Sequence, residues 1–340
     1  MNVRTLAAAS VLALAAGLLQ PVAAQAATFV SFTPRTILAP GLPTEEEGGG
    51  VDQNVTPVGT ISLTMTASQT AYVVAKMRVN NATIRSLFDN EVVCSGPGGW
   101  TENMVIGQNV YDRTSGSPNQ DVTLYTRFLV HPGVAGTVTC TANVRGNSLS
   151  NDDATYDLVS GYLQFADTSV VNDALGEPVQ SGVSAGVYGM NATHREVRLP
   201  ALDYFTMPAG VTNLNVVADS VLMICYPSTS CDKYGSSQVK FTLFINQWRS
   251  DGTLCKTDSS VQITHDVPYW VHHKYVPLNK PDFAVSDAPG CIPRFNAYVK
   301  AEWLGGQLAG IQGTATDLVD SRGSSGTHDS HMSHAFVLPS

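Results

Sequence analysis

Charge is scarce in this chain. Only 14% of its residues are Asp, Glu, Lys or Arg, against roughly 25% in ordinary soluble domains. The charge present leans acidic, with 19 Lys and Arg against 28 Asp and Glu, a net −9. A nucleic-acid partner calls for clustered cations, and so does an anionic membrane surface; both are set aside. Helical grammar is also lacking, since no stretch joins 3.6-residue apolar spacing to recognisable caps. No C-x2-C pair occurs, which removes the usual zinc signature. After residue 26 no apolar run approaches the about 20 residues that a membrane helix needs.

One apolar run does stand out. Residues 1–26 carry Arg4, then Thr5 to Leu19 rich in Leu, Ala and Val, then Ala24-Gln25-Ala26. That is the layout of an export signal cut after a small-x-small site. Its Ala-rich style resembles that of bacterial exported proteins. The expectation is a secreted, extracellular chain with no membrane span after cleavage. Loss of Arg4 would take the net charge from −9 to −10.

All six cysteines lie beyond that segment, and an even count in an exported chain favours disulfides. Sequence alone leaves the connectivity open. Spacing suggests Cys94 with Cys140, Cys225 with Cys231, and Cys255 with Cys291.

Residues 27–58 open with a candidate strand, Thr28 to Phe32, and pass into the run Thr44 to Gly50. That acidic, Gly-rich run reads as a linker within an N-terminal extension. From residue 59 the pattern is strand after strand. Thr60 to Met65 alternates polar and apolar residues with the period of two that marks a half-buried strand. Asp121 to Val130 and Gln238 to Ile245 do the same. Gly, Pro, Asn and Asp clusters punctuate these runs, as at Gly96-Pro97-Gly98-Gly99 and Ser250-Asp251-Gly252. The fold class expected is all-β, with two tandem antiparallel β-sandwich-like domains at 59–168 and 196–340. Residues 169–195 are expected to connect them. Short matches, such as Val92-Val93-Cys94 against Met223-Ile224-Cys225, also suit a diverged duplication.

Several clusters are candidates for chemistry. His328, His331 and His334 place three imidazoles in seven residues, the donor type for a transition metal such as zinc, copper or nickel. On a straight strand, residues three apart face opposite sides, so convergence needs a bend. His265-Asp266 has the look of half an acid–base pair but lacks a nucleophile. Tyr269, Trp270 and His272 beside it suit a binding face. Gly182 to Gly186 matches the G-x-S-x-G elbow, which requires a strand before it and a helix after. Asp152, Asp153 and Asp157 could meet calcium in a loop, though the EF-hand pattern is absent. Asn54, Asn81 and Asn191 begin Asn-x-Thr sequons. Glu102 and Glu302 lie beside Trp100 and Trp303, but nothing fixes their separation, on which a glycosidase depends. Trp100, Trp248, Trp270 and Trp303 are candidates for stacking on a sugar or peptide.

Three functions fit these residues. The first is a non-enzymatic extracellular binding or surface-structural protein whose ligand is a glycan or a protein. The second is a hydrolase on a β scaffold, which would bring His265, Asp266 and a Glu into one cleft. The third is a metal-binding protein that uses His328, His331 and His334.

Overall fold

The computed structural model describes residues 28–41, 52–112, 114, 119–184, 186–224, 235–268, 271, 273–313, 319–320 and 332–340. Strands make up 71% of the described residues and helix 1%, so the core is built sheet against sheet. The chain is all-β, as its period-two alternation implies.

The first strands are β1 (Phe29–Ser31), β2 (Arg35–Ala39), β3 (Asp52–Met65), β4 (Thr70–Asn80), β5 (Ser86–Ser95), β6 (Thr101–Val110), β7 (Asp121–Val130), β8 (Gly136–Ser148) and β9 (Ala154–Val170). Next come β10 (Gln180–Gly182), β11 (Val187–Met190), β12 (Glu196–Thr206), β13 (Asn213–Ile224), β14 (Ser236–Arg249), β15 (Leu254–Ser259) and β16 (Ile263–Pro268). The last are β17 (His273–Ala284), β18 (Cys291–Gly306), β19 (Ala309–Gln312), β20 (Val319–Asp320) and β21 (His334–Pro339).

They form four sheets. Sheet I runs β1-β9-β4-β7, with β2 also on β9; sheet II runs β20-β3-β8-β5-β6. Together these make the first sandwich. Sheet III runs β10-β21-β13-β19-β11, with β17 on the other edge of β13; sheet IV runs β12-β18-β14-β15, with β16 also on β14. These make the second. Pairing is antiparallel throughout the described ladders, save where β20 meets β3 in parallel. Residues 180–190, within the expected connection, are strands of sheet III: β10 pairs with β21 and β11 with β19. The Thr28 to Phe32 stretch supplies β1 of sheet I.

Each sandwich closes over its own core. Phe88, Phe128, Met77 and Tyr156 are buried in the first, and Phe241, Phe283 and Phe295 in the second. Full burial of one such ring stabilises by about 1.5–3 kcal/mol. Cys94 and Cys140 sit directly opposite on β5 and β8 and are joined. Cys255 and Cys291 are joined as well, tying β15 to β18 across the intervening β14. Cys225 and Cys231 lie outside the described residues.

The sandwiches meet face to face. Leu129 and Val170 of the first pack on Val217 and Phe336 of the second, and the Tyr72 ring meets Phe336 at a tilt, with centroids 5.4 Å apart. Beneath them lies a buried ion pair. Arg127 on β7 donates two hydrogen bonds to Asp219 on β13, at 3.0 and 2.6 Å. The Tyr275 hydroxyl donates to the same carboxylate at 2.6 Å. The backbone edges are also closed by side-chain amides. Gln180 accepts from the Leu129 N–H at 2.8 Å and donates to the Leu129 carbonyl at 3.0 Å, so it stands in for a further strand on β7. Asn109 and Gln108 likewise accept from the N–H groups of His273 and Tyr275 on β17. Buried backbone groups must find partners, and here each domain supplies them to the other.

Candidate functional site

The residues singled out from sequence scatter over several places. His334 is buried on β21 at the seam between the sandwiches, where its Nε2–H donates to the Arg127 carbonyl at 2.5 Å. It lies 3.5 Å from Asp219. His328 and His331 lie outside the described residues, as do Tyr269, Trp270 and His272. Among the described residues no group of three His, Cys, Asp or Glu side chains is placed to hold a metal ion.

His265 and Asp266 are consecutive on β16, so they face opposite sides of their sheet. Burial, and then the charge of Lys274, hold the His265 imidazole below its ordinary pKa; burial alone lowers Lys274. The Gly182 to Gly186 stretch links strand β10 to strand β11, not a strand to a helix as the elbow requires. Asp153 accepts from the Gly41 N–H. Asp157 accepts from Thr36 and Asn81. Both carboxylates thus tie loops and strands together. Trp100 packs against the first core and Trp303 against the second.

The seam cluster is structural in character. Burial pulls the Arg127 guanidinium down, but Asp219, Tyr275 and Tyr72 together outweigh it, and the net shift is upward. Burial pushes the Tyr72 hydroxyl up to about 12. Every charge there is matched, and the polar atoms are turned toward one another.

The outer face of sheet IV is different. Strand β14 alternates strictly. Val239, Phe241, Leu243 and Ile245 point into the core. Phe244, Asn246 and Trp248 therefore point out. On β18 the same logic buries Phe295, Ala297 and Val299 and turns out Arg294, Asn296 and Tyr298. A bulge in β12 between Leu202 and Phe205 sets both Asp203 and Tyr204 opposite Asn296. The bulge delivers Tyr204 to the solvent face, where it is 54% exposed.

These side chains form a strip along the strands. At one end Tyr204 meets Trp248 edge to face, with ring centroids 5.4 Å apart. Leu254, paired with Trp248 and 46% exposed, extends that end. In the middle lies an amide cluster. The Trp248 indole N–H donates to Asn296 Oδ1 at 2.8 Å. Asn246 donates to the same oxygen at 3.3 Å, and Thr257 donates to Asn246 at 2.6 Å. At the other end Phe244 and Tyr298 stack at 5.4 Å. Trp248 and Phe244 are four residues apart on one strand, about 13 Å at the usual rise.

Cations frame both ends. The Arg294 guanidinium lies 4.1 Å from the Tyr204 ring centre and Arg198 lies 5.2 Å from that of Tyr298, within cation–π range. Beyond Tyr298, Glu196 is paired with Arg198 and Lys300, and Glu302 with Lys240 and Lys300. Hydrogen bonds from Arg198 and from Lys240 hold the two carboxyls below their ordinary range. Chemically the face offers aromatic surface, amide and hydroxyl groups, and charge. It presents no described nucleophile with a base beside it.

No protein-family model matches the chain, and no curated relative matches it in sequence. Among solved structures it is similar to a T13 IBDV viral particle protein, at 11% identity and TM-score 0.25, covering 92% of this chain and 73% of that one. It is also similar to the N-terminal CBM22-1-CBM22-2 tandem domain from Paenibacillus barcinonensis Xyn10C, at 9% identity and TM-score 0.24, covering 83% and 93%. A third is the stem and receptor-binding domain of the spike protein from bacteriophage PM2, at 9% identity and TM-score 0.23, covering 92% and 98%. Scores this low carry no argument, and function is argued below from the chain's own residues.

Proposed function

We propose that this chain is a secreted, non-enzymatic binding protein that presents the outer face of sheet IV to a carbohydrate. One observation carries the reading: two aromatic pairs flank an amide cluster on a solvent-facing sheet. Sugars are amphipathic, with C–H faces that cover aromatic rings and hydroxyls that bond to amides. The strip supplies both partners in the order such a ligand needs. Asn296 accepts two hydrogen bonds through its oxygen, while its N–H donors meet no acceptor among the described residues. They stand ready for a ligand hydroxyl.

Preorganisation supports the same reading. Trp248 is pinned by Asn296, and Tyr204 is sandwiched between Trp248 and Arg294. Side chains already fixed lose little entropy when a ligand arrives. Export is supported by the sequence of residues 1–26 and is compatible with the two disulfides. No helix among the described residues is long and apolar enough to cross a membrane.

A glycan array probed with the mature protein tests this function, with reducing ends assayed after incubation. Retention on one class of glycan without release of reducing ends is expected. Retention on none, or release of new ends, would overturn it.

A further inference from the structure

We propose, resting on that carbohydrate reading, that the sugar polymer bound on sheet IV is anionic. The chain as a whole carries a net −9. The outer face of sheet IV does not share that acidic excess. Near Tyr298, three cations (Arg198, Lys240 and Lys300) share two carboxylates, Glu196 and Glu302. One positive charge is left over. At the other end Arg294 is exposed and makes no ion pair among the described residues. Asp203, on the β12 bulge, is the carboxylate nearest to it in the register. With Asp203 and with Asp266 on β16 included, this face balances four cations against four carboxylates on an acidic molecule, and Arg294 is its cation without an ion-pair partner among the described residues.

The manner in which Arg294 is held adds to the argument. It is stacked on Tyr204 at 4.1 Å. A stacked guanidinium keeps its in-plane N–H edge for a two-pronged bond to a carboxylate or sulfate. Arg198 is held over Tyr298 at 5.2 Å and is also exposed, although Glu196 occupies part of its edge. Arg294 and Lys300 are six residues apart on β18, about 20 Å along the strand. A ring-stacked guanidinium at each end of an aromatic and amide strip that long suits a polymer with repeated anionic groups. A single acidic sugar would reach only one end.

The test compares matched pairs of polymers. Polygalacturonate and alginate are each titrated beside their methyl-esterified forms, and chondroitin sulfate beside its desulfated form, at low and high salt. The acidic member of at least one pair is expected to bind about tenfold tighter, an advantage that high salt removes. Which pair shows it separates carboxylate from sulfate. Arg294→Gln should remove most of that advantage at an unchanged melting temperature, and Arg294→Lys should restore it only in part. Equal binding of both members of every pair would overturn the anionic assignment while leaving carbohydrate binding intact. Failure of all these polymers with retention on the glycan array would overturn the anionic assignment alone, and failure on the array as well would overturn both. A dimer in light scattering that is broken by Tyr204→Ala would give the face to a second copy and overturn both as well.

Discussion

Single residues decide what sheet IV can touch. Trp248 is exposed enough to meet a ligand and is fixed by one hydrogen bond to Asn296. Tyr204 faces water because the β12 bulge turns it outward. Glu102 shows the reverse case, a half-buried carboxyl with no described partner. Burial pushes its pKa from the ordinary 4.5 up to about 7. A carboxyl that holds its proton more tightly when folded costs stability as pH rises. The loss begins near 4.5, where the unfolded chain releases the proton, and is complete near 7, where the folded chain does too. Thermal melts between pH 4 and 8 should show Glu102→Gln gaining on the parent through that window, then holding a constant lead. A lead that does not change with pH would show that Glu102 is not the group at work. Trp248 was legible in the sequence as a stacking candidate only as one of four tryptophans in a β-rich chain. Tyr204 was not. A bulge resets the alternation between Leu202 and Phe205, and nothing in Asp203-Tyr204 announces it.

At the scale of elements, the strip depends on the register of β12, β14, β15 and β18. The Cys255–Cys291 bridge ties β15 to β18 beside Leu254 and Trp248. Removing a native disulfide typically costs about 2–5 kcal/mol. The Cys255→Ala/Cys291→Ala pair should therefore melt several degrees lower and bind its glycan more weakly. Weaker melting with unchanged binding would mean that the strip holds its shape without the bridge. Strand existence was plain from period-two runs, but β13 was harder. Asp219-Ser220 interrupts its apolar residues between Leu214 to Ala218 and Val221 to Ile224. In the fold they are one strand, Asn213–Ile224. Its outer face is covered by the first sandwich, and Asp219 is tolerated there because Arg127 and Tyr275 meet it. A polar interruption signals a break only when no distant partner exists, and sequence cannot see the partner. Residues 180–190 were missed for a related reason. Strands of three and four residues, Gln180–Gly182 and Val187–Met190, are too short to show a period.

The whole molecule is a pair of sandwiches joined through a charged seam. A buried ion pair is not by itself evidence of net stabilisation, but breaking one strands a charge, at about 3–5 kcal/mol. Arg127→Met should therefore lower stability in urea by an amount in that range. Arg127→Met/Asp219→Leu should recover much of the loss, since both charges are then gone. A single variant as stable as the parent would show that the seam does not hold the sandwiches together. His334, one of the three clustered imidazoles, is drawn into this seam, where its ring serves the contact between domains. The most direct test is calorimetric titration of the parent and of Tyr204→Ala/Trp248→Ala with the strongest glycan from the array. Loss of at least about tenfold in affinity, at an unchanged melting temperature, is the expected result. Undiminished affinity in a folded double variant would place the ligand elsewhere and contradict the function proposed here.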